Sequence, residues 1–92
     1  MESSRLKQIT IVNKLGLHAR ASAKWVQTAS RYASHIELEY KGRCVNGKSI
    51  MGVMMLAASQ GAVLTLRIEG PDAAEAQEAL VQLVETRFGE AE

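Results

Sequence analysis

The sequence predicts a two-layer α+β domain, a four-stranded sheet with three helices on one face. Two kinds of pattern predict it. Four short stretches alternate apolar and polar residues, as half-buried strands do, and three others repeat apolar residues at three- and four-residue spacing, as helices do. Asn, Gly and Pro breakers fall between them, and the order is β-α-β-β-α-β-α. The 92 residues are expected to form a single domain, 1–92, because two would each lack a core.

Residues Met1 to Arg5 are polar and are expected to fray. Leu6 to Val12 forms the first strand, with Ile9 and Ile11 on one face and Gln8 and Thr10 on the other. Asn13-Lys14-Leu15-Gly16 breaks it. From His18 to Tyr32 a helix is expected, with a stripe of Ser22, Trp25, Val26, Ala29 and Ala33. Its many alanines favour helix and allow close approach to a sheet. No Ser, Thr, Asp or Asn directly precedes it, so His18 itself is the candidate cap.

Ser34 to Lys41 alternates again, with Ile36, Leu38 and Tyr40 on one face. Lys41-Gly42 turns the chain into a short third strand over Arg43 to Asn46, which makes strands two and three antiparallel neighbours. The order of the other strands is not legible from pattern. Ser49 opens a helical stretch through Ile50 to Ser59, with Gly61 placed to end it and Gly52 weakening it by about 1 kcal/mol. Ala62 to Glu69 is the fourth strand, turned inward at Leu64, Leu66 and Ile68. Asp72 with Glu75 makes a capping-box signature for a last helix striped by Ala76, Leu80, Leu83, Val84 and Phe88 and ended by Gly89.

Hydrophobic residues make up 47% and charged residues 23%, the balance of a globular protein rather than a disordered one. A net charge of +1 offers no field to attract nucleic acid or an anionic membrane, so partners must be chosen by a local patch. The single Cys44 excludes an internal disulfide and is expected to be a small buried or half-buried strand residue. The lack of a signal peptide or long apolar run points to the cytoplasm. Nothing demands more than a monomer.

His35 lies beside Glu37 on a polar strand face and reads as an ordinary surface residue. His18 differs in its neighbours. A phosphoryl acceptor needs a nucleophilic imidazole nitrogen, donors for the phosphate oxygens and a positive charge that does not react. A helix start supplies the N–H groups and Arg20 the charge. A histidine that merely caps the helix fits the same residues. Nothing at helical spacing to His18 supports a metal site, and neither a Gly-x-Ser-x-Gly elbow nor a Walker A loop is present. Ser49 is either a plain helix cap or a regulatory phosphosite. Ile50, Met51, Val53, Met54, Met55 and Leu56 exceed one buried stripe, so one or two should be exposed as a docking patch.

Gly16-Leu17-His18-Ala19-Arg20 and Lys48-Ser49-Ile50-Met51-Gly52-Val53-Met54, in their strand–helix order, make the chain resemble the HPr phosphocarrier family of the bacterial phosphoenolpyruvate-dependent phosphotransferase system, from about Leu6 to Phe88. The resemblance implies a stoichiometric carrier rather than an enzyme, without cofactor or metal. His18 Nδ1 would accept a phosphoryl group from Enzyme I and pass it to a IIA-type protein. Arg20 and the helix-start N–H groups would stabilise it. It further implies an antiparallel open-faced sandwich of order 1-4-2-3, docking through Ile50, Met51 and Met54, and Ser49 as the target of an HPr kinase/phosphorylase. The alternative is a regulatory interaction module governed by Ser49, in which His18 is structural. Family members usually carry proline after the arginine; Ala21 here should leave an extra N–H donor near the cap and a looser loop. The Asn13-to-Gly16 approach looks more like the nitrogen-related or regulatory branch.

Overall fold

The computed structural model describes residues 3–92. Its strands are β1 (Ser3–Thr10), β2 (His35–Tyr40), β3 (Arg43–Asn46) and β4 (Val63–Gly70), and its helices α1 (Ala19–Ala29), α2 (Ile50–Met55) and α3 (Ala73–Glu85), followed by a 3-10 turn at Arg87–Gly89. The sheet is antiparallel throughout, in the order β1-β4-β2-β3, as the resemblance implied. Ile9 faces Leu64 and Leu38 faces Leu66 across the ladders, so the apolar faces of neighbouring strands coincide. Onto them pack Ala21, Trp25 and Ala29 of α1, Val53 of α2, and Ala73, Ala76, Leu80 and Val84 of α3, all buried. The result is the expected open-faced sandwich.

Several boundaries differ from expectation, each for a tertiary reason. Ser3, Ser4 and Arg5 are not frayed: they pair with Gly70, Glu69 and Ile68, because β4 is long enough to template them. The proposed fraying of Met1 and Glu2 lies outside the described residues. Helix α1 stops at Ala29, so Ala33 is exposed rather than part of the stripe, and its N–H donates to Asp72. Helix α2 stops at Met55, well before Gly61. Ala57 adopts a left-handed conformation (φ 52°), and the chain then runs back so that the Ala58 carbonyl meets the N–H of Leu17 at 2.9 Å.

The capping box at α3 does not form. Asp72 caps no N–H of its own helix; its carboxylate instead accepts from Ala33 N (2.8 Å), Ser34 N (3.0 Å) and Ser34 Oγ (2.5 Å), tying the start of β2 to the start of α3. Those bonds, led by the Ser34 hydroxyl, hold the Asp72 carboxyl below the usual carboxylate range despite the opposing effect of burial. Phe88 falls outside α3. Arg87 and Phe88 are both left-handed (φ 58° and 53°), a costly conformation for a bulky residue, and Phe88 uses it to bury its ring completely under the helices. Cys44 is exposed, since β3 is a sheet edge and Cys44 lies on the open face with its thiol 3.4 Å from Glu37 Oε1.

Candidate functional site

The chain enters α1 through a loop packed against residues 58–59. Gly16 is left-handed (φ 68°), and a Cβ there would lie 2.5 Å from the Ala58 carbonyl oxygen. Only glycine lets the loop lie against residues 58–59, where Leu17 is pinned by its N–H and by its own burial. His18 follows at once and is the N-cap of α1, with extended backbone (φ −74°, ψ −177°). Its carbonyl accepts the Ser22 N–H at 2.9 Å, the first intrahelical bond. Its Nδ1 accepts the Arg20 N–H at 3.3 Å, a long bond that leaves this nitrogen at the free end of the helix. Among the described residues nothing accepts the Ala21 N–H. That is the extra donor expected where relatives carry proline, and the first turn forms without the ring.

The other ring nitrogen faces a residue that local reasoning missed. Nε2 lies 2.5 Å from Oε2 of Glu90, whose Oε1 accepts from Asn13 Nδ2 at 3.0 Å. Asn13 is fully buried and spends its second amide proton on the Gly16 carbonyl, at 2.9 Å. Glu90 is brought there by the left-handed turn at Arg87 and Phe88, and Lys24 Nζ donates to the Phe88 carbonyl at 2.7 Å. Burial pushes the Glu90 carboxyl up. Hydrogen bonds from His18 and Asn13, with the electrostatic attraction of His18 and Lys24, outweigh burial and hold it below the ordinary carboxylate value. No sequence signal near His18 points to Glu90, which lies 72 residues away. Helix α3 stops at Glu85 rather than at Gly89, and Glu90 lies in the tail beyond the 3-10 turn.

His18, Arg20 and Lys24 line an open cleft of about 980 Å³ with Lys14, Leu15 and the tail from Gly89 to Glu92. Arg20 is exposed, and among the described residues its guanidinium makes no hydrogen bond or ion pair. A cleft with a ring nitrogen, unspent N–H groups and a free guanidinium can receive a small dianion.

Ser49 does not line this cleft. It is the N-cap of α2, with Oγ accepting from Gly52 N at 3.1 Å. Helices α1 and α2 pack against each other, which puts both motifs in the helical layer. The α2 surface is more apolar than expected. Instead of one or two exposed side chains there are four, Ile50 (43%), Met51 (73%), Met54 (40%) and Met55 (58%), because six residues of helix can turn only Val53 and the following Leu56 inward. His35 is exposed and bonded to Glu37 Oε2 at 2.9 Å, a surface pair as expected. Among the described residues no cluster of three His, Cys, Asp or Glu is placed to hold a metal ion, and no helix is long and apolar enough to cross a membrane.

The family model described as the PTS HPr component phosphorylation site matches residues 6–86. The chain is 59% identical over 83 residues to the phosphocarrier protein HPr of Xylella fastidiosa, covering 90% of this chain and 93% of that one. It is 55% identical over 86 residues to the phosphocarrier protein HPr of Cupriavidus necator, covering 94% and 97%. The crystal structure of HPr-C-His from Thermoanaerobacter tengcongensis superimposes with a TM-score of 0.92 at 51% identity, covering 96% of this chain and 99% of that chain. With the expected topology, the family model matched over residues 6–86 and this similarity over nearly its whole length, the chain belongs to the HPr family of phosphocarrier proteins of the phosphotransferase system.

Proposed function

We propose that His18 Nδ1 is the phosphoryl acceptor of this carrier. The observation that carries the reading is the division of labour between the ring nitrogens: Nε2 is committed to Glu90, while Nδ1 faces the unspent N–H groups of the α1 start. Neutral imidazole has one nitrogen that donates and one with a lone pair. With Nε2–H donated to the carboxylate, the lone pair belongs to Nδ1. Once Nδ1 bonds phosphorus it no longer accepts from Arg20, and the Arg20 and Ala21 N–H groups and the Arg20 guanidinium are in place for the phosphate oxygens.

The phosphoryl group comes from Enzyme I and leaves to a IIA-type protein, as in the family. Docking uses Ile50, Met51 and Met54, whose exposed thioethers and branched chain form an adaptable apolar patch. Ser49 is the control point, modified by a kinase of the HPr kinase/phosphorylase type. A phosphate there sits at the electrostatically favoured end of α2, so the fold tolerates it, while up to two negative charges beside the patch oppose an apolar docking partner.

Incubation with Enzyme I and labelled phosphoenolpyruvate should leave an acid-labile phosphate on the wild type and none on His18→Ala. Label retained in His18→Ala would overturn the acceptor assignment. Binding to a partner that depends on a Ser49 kinase, and is indifferent to His18→Ala, would instead establish the regulatory-module reading.

A further inference from the structure

We propose that Glu90 is the positioning residue of the phosphoacceptor, with Lys24 and Asn13 as the pins that hold its carboxylate on His18; this rests on the proposed role of His18. The carboxylate is held from three sides. Asn13 Nδ2 fixes Oε1, His18 takes Oε2, and Lys24 anchors the backbone two residues before by gripping the Phe88 carbonyl. The Glu90 side chain is 13% exposed, so water competes little for it. The other charged groups around the ring are Arg20 from α1, Lys14 from the approach loop and Glu92 from the tail, and the last two pair with each other at 3.6 Å.

In the transfer step the Nδ1 lone pair forms the bond to phosphorus. The donor's bond to phosphorus breaks, its electron pair leaving with the donor. The acceptor ring still carries Nε2–H, so it becomes a cation as the bond forms. The carboxylate at 2.5 Å from Nε2 receives that developing charge without having to move, as a buried aspartate does for the histidine of a serine protease. On transfer onward the N–P pair returns to Nδ1 and the ring is neutral again, with Nε2–H unchanged.

The network also dictates how a substitution fails. In Glu90→Gln the side-chain oxygen must face Asn13, because Asn13 Nδ2 is oriented by the Gly16 carbonyl and can only donate. The new amide NH2 then faces His18 Nε2 and donates to it, which drives the ring proton onto Nδ1 and removes the nucleophile. Glu90→Ala loses the charge but imposes no tautomer. The isosteric variant should therefore be worse than the truncation.

Two measurements test this. Imidazole 15N chemical shifts of the unphosphorylated protein should place the proton of neutral His18 on Nε2 in the wild type and on Nδ1 in Glu90→Gln. Phosphorylation by potassium phosphoramidate, a small donor that needs no docking surface, should slow about tenfold in Glu90→Ala, or about 1.4 kcal/mol of barrier. It should slow further in Glu90→Gln and to an intermediate degree in Lys24→Met. A wild-type ring protonated on Nδ1, or equal rates in wild type and Glu90→Gln, would overturn the proposal. The shift measurement needs no phosphorylation, so it decides whether Glu90 sets the His18 tautomer separately from whether His18 is the acceptor.

Discussion

Replacing Gly16 by alanine should damage both the fold and the site, and the structure sets the size of the effect. A left-handed φ of 68° costs alanine about 1–2 kcal/mol. The new Cβ would lie 2.5 Å from the Ala58 carbonyl oxygen and 2.8 Å from Ser59 Cα, both backbone atoms that cannot swing aside. Relieving the clash stretches the 2.9 Å bond from Leu17 N to that same carbonyl, a loss of about 0.5–1.5 kcal/mol. The total is about 1.5–3.5 kcal/mol. Gly42 supplies the control: its φ is 78°, but a Cβ there meets nothing within 4 Å, so Gly42→Ala should cost only the backbone contribution of about 1–2 kcal/mol. Urea unfolding followed by emission of Trp25, the single tryptophan and 1% exposed, reports both. Gly16→Ala should also slow phosphorylation of His18, two residues on, while Gly42→Ala leaves it unchanged. Equal destabilisation by the two substitutions would refute the close-approach argument.

Other expectations follow from the same contacts. Because the folded Asp72 carboxyl titrates below its ordinary value of 3.8, its contribution to stability is complete above that value and is lost as pH falls through the lower folded value. Asp72→Asn should therefore flatten the acid side of a plot of urea midpoint against pH, and an unchanged acid limb would contradict the tie to Ser34. Ser49→Ala removes the acceptor of the Gly52 N–H and should cost about 1 kcal/mol, a fall in Tm of about 4–8 °C, measurable by calorimetry. Ser49→Asp should keep the fold and weaken binding to Enzyme I in titration calorimetry; undiminished binding would argue against charge control of the patch. Ala21→Pro removes an N–H that no group among the described residues accepts, so the fold should tolerate it, yet phosphorylation of His18 should slow a few-fold if that N–H serves the phosphate. Phosphorylation at the wild-type rate would leave the alanine without consequence.

How much of this molecule was legible in its sequence depends on how far apart the interacting residues lie. The β2–β3 hairpin, the inward faces at Leu64, Leu66 and Ile68, His18 as the cap of α1 and Ser49 as the cap of α2 all follow from periodicity or from groups a few residues apart. Those interactions are local, and local backbone geometry allows few alternatives. The strand order, the left-handed Ala57 and Phe88, the use of Asp72 on Ser34 rather than on its own helix, and the exposure of Cys44 follow no such pattern. Each is set by what the packed chain brings alongside, and there tertiary contacts override local preference. The candidate site divides the same way. His18 and Arg20 were visible as a pair because they share one turn of helix. Glu90, Asn13 and Lys24 act on His18 only because the buried Phe88 folds the end of the chain back over the start of α1, a closure made by packing rather than by any motif.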